Sequence, residues 1–130
     1  MLGVSFTAGA RRSALSLKTR IHKFSKTIPR VQQLRHVGAS TIEYLRTAGI
    51  PSMLYGCHAS GVSDTMIQQA TTAAANALAP PTAGKNPTLV MHACSVHSSI
   101  VNPNYNANLD PIQSWANAWW EQWAKPDQLM

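Results

Sequence analysis

The stretch that decides the fold is Arg11–Val37, which reads RRSALSLKTRIHKFSKTIPRVQQLRHV. Apolar residues recur within it at alternating steps of four and three, at Leu17, Ile21, Phe24, Ile28 and Val31. At 3.6 residues per turn, this spacing places them on one side of an α-helix. The helix is therefore predicted to bury this face in a core.

The rest of the helix surface is rich in basic side chains. Eight of the chain's eleven Lys and Arg residues lie in this stretch, and it contains no acid. At about 100° per residue, Lys23, Lys26 and Arg30 fall opposite the apolar face. A helix surface that serves solubility alone usually mixes acids with bases. Because every charged side chain in this stretch is positive, we expect it to contact a polyanion. An ordinary solvated basic face is the alternative.

Length and composition restrict the class of protein. The chain has 130 residues, which suits one domain. Its formal net charge of +6 points to nucleic acid or an anionic surface. The sequence contains no run of eighteen apolar residues, so no membrane-spanning helix is expected.

The expected location is intracellular, either nuclear or cytoplasmic. No apolar segment typical of a secretory signal follows the early arginines. Two cysteines, Cys57 and Cys94, are too few for a disulfide framework. An Arg- and Ser-rich, acid-free N-terminus also fits the composition of a mitochondrial presequence, which is the alternative.

Start and stop signals divide the first half of the chain. Leu2–Thr7 has the composition of a β-strand, and Pro29 is expected to kink or divide the basic helix because it has no N–H to donate. Ser40–Glu43 matches a capping box, and the helix that it opens is expected to end near Gly49. Thr65–Leu78 has strong helix propensity.

The second half is predicted to hold two more helices. Thr88–Ile100 is assigned to a short helix, and Asn102–Asn108 to a loop by its composition. Asp110 followed by Pro111 is a start signal for a helix that runs to about Lys125. The predicted fold class is therefore mainly α: a small bundle of about four to five helices with one short N-terminal β-strand.

No catalytic or metal-binding motif is indicated. His92, Cys94 and His97 lie close in sequence, but their spacing is not a paired-ligand signature of zinc sites. Neither Cys57 nor Cys94 has the local signature of a nucleophile, and a buried cysteine more often acts as a small apolar residue. The five acids are scattered singly, whereas two-metal phosphoryl chemistry needs carboxylates close together. The chain is therefore expected to use no metal or cofactor and to have no active site of its own.

Tryptophans form a stripe near the end of the chain. Ile112, Trp115, Trp119 and Trp123 recur at steps of three and four, on one side of the last predicted helix. Such a stripe is more often part of a core or a partner-facing surface than a surface that stacks nucleic-acid bases. Trp120 lies off the stripe and is expected to be exposed.

An ordered set of short motifs resembles a known family. In chain order the motifs are LGV at 2–4, Ile21-His22 in the basic helix, Leu34-Arg35, YLRT at 44–47 and IPSMLYG at 50–56. This order resembles the region just after the palm in reverse transcriptases of non-LTR, LINE-like retrotransposons. In that family a YLGV-type strand closes the palm and a helical thumb follows. The resemblance covers about residues 2–64, and the family's Y/F-x-D-D turn, which carries the catalytic aspartates, has no counterpart in this chain.

The resemblance implies a fragment of a reverse-transcriptase-like protein without its catalytic palm. Residues 1–79 would form a palm-edge strand plus thumb-like helices, and residues 80–130 a post-thumb helical extension packed into the same compact unit. A thumb of this family grips the template–primer duplex through its phosphates. In this chain that role falls on five residues of the basic helix, Lys18, Arg20, Lys23, Lys26 and Arg30.

The expected partners follow from the same resemblance. They are the backbone of RNA, DNA or a hybrid duplex, and a separate polymerase palm. Because the catalytic aspartates are absent, no RNA-directed DNA polymerase activity is expected from this chain alone. Two other interpretations stay open: a helical protein-interaction module that docks through the tryptophan stripe, and a retroelement remnant with no selected function.

Overall fold

The described part of the chain is mainly α-helical. The computed structural model describes residues 14–79, 84–94 and 101–121. In chain order, the elements are α1 (Leu15–His36), α2 (Thr41–Tyr44), a π-helical segment (Leu45–Gly49), α3 (Ile50–Leu54), α4 (Cys57–Ser60), α5 (Asp64–Leu78), α6 (Pro87–Cys94) and α7 (Pro103–Trp120). These ranges contain no β-strand, and the strand predicted at 2–7 lies outside them.

Helix α1 buries the face that the sequence predicts. Leu17, Ile21, Phe24 and Val31 are buried, and Ile28 packs against them at the edge of the core. Pro29 does not divide the helix, which continues to His36. Pro29 is exposed, and the buried residues on either side of it hold α1 against the core.

Helix α1 ends at a glycine in a left-handed conformation. Gly38 has a φ of +85°, in the left-handed region that favours glycine. Its N–H donates to the carbonyl of Arg35 at 3.0 Å, and the N–H of Ala39 donates to the carbonyl of Leu34 at 3.1 Å. This pair of bonds is a Schellman motif, which satisfies carbonyls at the end of α1.

The capping box at Ser40 is confirmed at its first position. The Ser40 hydroxyl accepts a hydrogen bond from the Glu43 N–H at 3.3 Å and so caps α2. The Glu43 carboxylate forms an ion pair with Arg46 one turn later. The start of α2 is therefore fixed by local chemistry, as predicted.

The prediction that this helix ends near Gly49 is wrong. Gly49 keeps a helical φ of −65°, and the π-helical segment leads directly into α3. A Cβ atom at Gly49 would lie 2.9 Å from Leu45 Cδ2 and 3.1 Å from Phe24 Cε2. The glycine therefore permits close packing of the helix on α1. The wide π turn precedes Pro51, which has no N–H for an ordinary helical bond.

Helix α5 supplies the small residues of the core. Ser63 caps it by accepting a hydrogen bond from the Met66 N–H at 3.4 Å, and the helix predicted over 65–78 is confirmed. Its buried face is largely alanine, at Ala70, Ala73, Ala74, Ala75 and Ala77. Such small side chains let neighbouring helices approach closely, and α5 packs against α1, α6 and α7.

Side chains of α1 also bind the C-terminal end of α5. Gln32 Nε2 donates to the carbonyl of Asn76 at 2.9 Å, and Arg35 Nη1 donates to the carbonyl of Leu78 at 2.7 Å. The last carbonyls of a helix have no partner within the helix, and they carry partial negative charge. Arg35 therefore stabilises the junction of α1 and α5.

The loop predicted at Asn102–Asn108 is wrong, because α7 begins at Pro103. Asn102 caps α7, its Oδ1 accepting a hydrogen bond from the Asn104 N–H at 3.0 Å. Asn102-Pro103 is the same type of start signal as Asp110-Pro111, and it comes earlier in the chain. Pro111 lies inside α7 instead of opening it.

The other asparagines of α7 do not end the helix, because their side chains bond along it. Asn108 Nδ2, for example, donates to the Asn104 carbonyl at 2.8 Å. The helix predicted at 88–100 is confirmed over Pro87–Cys94, and the remainder of that range lies outside the described residues. Among the described helices, none is both long and apolar enough to span a bilayer.

Candidate nucleic-acid interface

The exposed side of α1 presents a row of three cationic side chains, Lys23, Lys26 and Arg30, which we term the outer row. All three are exposed. The opposite side of α1 is buried in the core, so the packing of the helix fixes the direction of the row. Seven residues at about 1.5 Å each give the row a length of about 10 Å. It therefore presents positive charge to any polyanion that approaches α1.

Arg20 differs from the outer row because it contacts another element. Its Nη1 donates a hydrogen bond to the carbonyl of Tyr55, and its guanidinium lies 5.1 Å from the centre of the Tyr55 ring. This geometry is a cation–π contact. The sequence places Arg20 in one group with Lys23, whereas the structure gives it a packing contact between α1 and the end of α3.

Lys18 is the fifth predicted residue, and it lies on another side of α1. Its side chain is exposed and lines a groove between α1 and α5. The five predicted site residues are therefore divided among three places: Lys18 at the groove, Arg20 against Tyr55, and the other three in the outer row.

Two further arginines of the described chain form hydrogen bonds with other protein groups. Arg35 donates to α5, as described above. The hydrogen bond from Arg46 to Glu43, together with the negative charge of that carboxylate, raises the pKa of Arg46 above its ordinary value. Both groups are exposed, so the pair is worth little stability. Its effect is to neutralise the acid that follows α1 in the chain.

The residues that the structure describes contain no cluster of side chains that could hold a metal ion. No three potential ligand side chains gather within the described ranges, and His97 of the segment considered for zinc lies outside them. Cys57 is buried. Burial, and secondarily the negative charge of Asp110, raises the pKa of the Cys57 thiol. The thiol therefore stays protonated at neutral pH and acts as a small apolar residue, as predicted.

The second half of α7 exposes an aromatic surface, formed by Ile112, Trp115, Trp119 and Trp120, which we term the Trp surface. The exposed fractions of these side chains are 62%, 51%, 45% and 86% respectively. The rings of Trp115 and Trp119 stack with their centroids 6.1 Å apart and an interplanar angle of 27°. Trp120 is exposed as predicted, and Trp123 lies outside the described residues. These four side chains therefore do not form a core.

Sequence reasoning missed two features of this region. The contact of Arg20 with Tyr55 joins residues that are 35 positions apart, and nothing in the local pattern indicates it. The polar wall that α5 contributes to the groove has a detectable signal, because Thr65, Gln68, Thr72 and Asn76 recur at steps of three and four.

Comparisons with known protein families, with curated proteins and with solved structures find no match to this chain.

Proposed function

We propose that this chain binds nucleic acid through the phosphate backbone, without choice of sequence, using the outer row of α1. The observation that carries the proposal is the arrangement of Lys23, Lys26 and Arg30. They are exposed on one side of a helix whose opposite side is buried, in a stretch without acids. Contacts of Lys and Arg with phosphates position a protein on nucleic acid but carry no sequence information.

The wider role that we propose is that of a thumb-like module beside a separate polymerase palm. The ordered motifs that resemble non-LTR reverse transcriptases support this role. Within the IPSMLYG segment at 50–56, Ile50, Met53 and Leu54 are buried, which supports a structural role for this segment. The chain alone would hold a template–primer and catalyse nothing.

A salt titration tests the phosphate contacts. Three contacts release about three counterions, so raising salt from about 50 to about 200 mM should weaken binding by about 40-fold. The measurement is fluorescence anisotropy of a labelled RNA–DNA hybrid with the full chain. The triple variant Lys23→Ala/Lys26→Ala/Arg30→Ala should lose most of this affinity and its salt dependence, while circular dichroism shows that it is folded.

A charge-matched control separates local contact from net charge. Lys26→Ala and Arg46→Ala each remove one positive charge, but Arg46 is paired with Glu43 and lies outside α1. We expect a weaker complex from Lys26→Ala and little change from Arg46→Ala. An affinity that does not respond to salt, or equal losses in both variants, would contradict the proposal.

A second candidate function, a helical module that docks a protein partner, is favoured by the exposed Trp surface. Stacked, half-exposed tryptophans offer a large contact area, and aromatic side chains are enriched in protein interfaces. The double variant Trp115→Ala/Trp119→Ala distinguishes the two functions. Nucleic-acid binding that survives this variant does not depend on the Trp surface, whereas loss of a protein partner from a folded variant supports docking.

A further inference from the structure

A groove of the described structure lies between α1 and α5. It is open to solvent and has a volume of about 1090 Å³. Its floor is apolar, formed by the buried Ile21 and Ala73 and by the half-buried Ile28. The groove therefore combines an apolar floor with polar walls.

The α5 wall of the groove is built from uncharged hydrogen-bonding side chains. Gln68, Gln69 and Thr72 line it and are exposed. Each glutamine amide offers two N–H donors and one carbonyl acceptor. Neither amide is bonded to another residue of the described ranges. The wall therefore presents donors and acceptors to whatever enters the groove.

The α1 wall supplies positive charge. Lys18, His22 and Ser25 line this side, one turn apart, and none of the residues that line the groove is an acid. Lys18 and His22 are exposed. His22 lies one turn before Lys26 on α1, so the wall adjoins the outer row. An anionic chain could pass from the outer row into the groove without meeting negative charge.

We propose that this groove holds the unpaired nucleotides of a single strand. A nucleobase has apolar faces that suit the floor, and its edges carry the donors and acceptors that amides bind. Its phosphate would lie at the Lys18 rim. The wall from Thr65 to Asn76 spans about 16 Å.

The inference rests on the proposed binding of nucleic acid by α1. It adds that the chain prefers single-stranded to double-stranded nucleic acid. In a duplex, the Watson–Crick edges are paired and the base faces are stacked inside the helix, so the bases are not free to enter the groove. A fully paired duplex would therefore contact the outer row alone. A single strand, or an unpaired template beside a duplex, would contact both surfaces and bind more tightly.

The test compares a short single-stranded oligonucleotide with a duplex of the same sequence, by anisotropy at one fixed salt concentration. The first variant is Gln68→Ala/Gln69→Ala, which removes both amides from exposed helix positions that tolerate alanine. The second is Thr72→Trp, which fills the groove from an exposed position. The matched control is Gln113→Ala/Asn117→Ala, which removes two exposed amides from α7.

We expect the groove variants to weaken single-strand binding by about five- to tenfold, the effect of one or two lost hydrogen bonds. Duplex affinity and the control variant should be unchanged. Equal affinity of the wild type for both forms, or groove variants that bind the single strand as the wild type does, would overturn the inference. If the outer-row triple variant still abolishes duplex binding in that case, only the groove assignment fails. If the wild type binds neither form, the proposed function fails with it.

Discussion

Arg20 and Tyr55 join α1 to the end of α3 through two contacts made by one guanidinium. Arg20 Nη1 donates to the Tyr55 carbonyl, and the same group lies 5.1 Å from the centre of the Tyr55 ring. Tyr55 has a φ of −54° and a ψ of 125°, so it ends α3 immediately before Gly56 turns the chain into α4. The contact therefore holds a turn against the basic helix and takes Arg20 away from the outer row.

Replacing Arg20 by alanine should lower stability more than it lowers nucleic-acid affinity. A hydrogen bond from a charged donor contributes about 1.5–3 kcal/mol, and an exposed cation–π contact about 0.5–1 kcal/mol. Because both groups are partly exposed, we expect a loss of about 1–2 kcal/mol in the free energy of unfolding, measured with urea. Lys23→Ala should show the reverse: nearly unchanged stability and weaker binding. Arg20→Ala with unchanged stability would show that the Tyr55 contact is not maintained.

Gly49→Ala should destabilise the protein, although alanine is the better helix former. The new Cβ would lie 2.9 Å from Leu45 Cδ2 and 3.1 Å from Phe24 Cε2, so side chains of the core must move. Overpacking of this kind typically costs about 1–3 kcal/mol, which exceeds the gain of up to about 1 kcal/mol from helix propensity. Urea unfolding measures the difference.

A contrasting glycine separates overpacking from backbone strain. Gly38 has open space where a Cβ would lie, but its φ is +85°. Gly38→Ala should therefore cost about 1–2 kcal/mol through strain alone, and Gly38→Asn should cost less because asparagine tolerates this region. A Gly49→Ala variant as stable as the wild type would show that the contact with Phe24 is loose.

Features predicted correctly from the sequence depend on neighbours in the chain. The apolar face of α1 and the cap at Ser40 each follow from residues within a turn or two. The packing of α1 also explains why Pro29 is tolerated there: the proline lies on the exposed side and leaves the buried contacts intact. A local rule for proline cannot include that tertiary contribution.

Features predicted wrongly depend on residues that are distant in the chain or on competing local signals. A local rule predicts that the helix ends at Gly49. The helix continues instead, because Phe24 of α1 packs against it at this glycine. Asn102-Pro103 and Asp110-Pro111 are equally good start signals, and the choice between them follows from the burial of Pro103 and Ala107 in the core. The division of the basic residues into an outer row, a Tyr55 contact and a groove rim also requires the packed structure.

The Cys57 thiol should make stability fall with rising pH in the alkaline range. Burial, and then Asp110, raises the pKa of this thiol in the folded state. The folded state therefore holds the thiol proton more tightly than the unfolded state does, whose thiol has a pKa of about 8.5. The resulting stability is fully present below that value and is lost as pH rises through the folded pKa.

Urea unfolding of the wild type and of Cys57→Ala, at neutral pH and at a pH above the ordinary thiol pKa, measures this effect. Other groups titrate in the same range, so the informative quantity is the difference between the two proteins. The wild type should lose more free energy of unfolding than the variant does. Parallel losses in the two proteins would contradict the burial of an ionisable thiol at this position.

The Trp surface should contribute little to folding, even though it holds three tryptophans. Trp115 and Trp119 are about half exposed, and their stack should add about 0.5–1.5 kcal/mol beyond the burial of each ring. We expect the double variant Trp115→Ala/Trp119→Ala to remain folded, with a coupling of that size between the two positions in a double-mutant cycle. Met91→Ala is the comparison, because Met91 is fully buried and its truncation should cost about 2–5 kcal/mol. If the tryptophan double variant unfolds as readily as Met91→Ala, these rings belong to a core and neither docking nor base stacking explains them. If it stays folded, the rings are available to a partner, and a test of docking with that variant reports on binding alone.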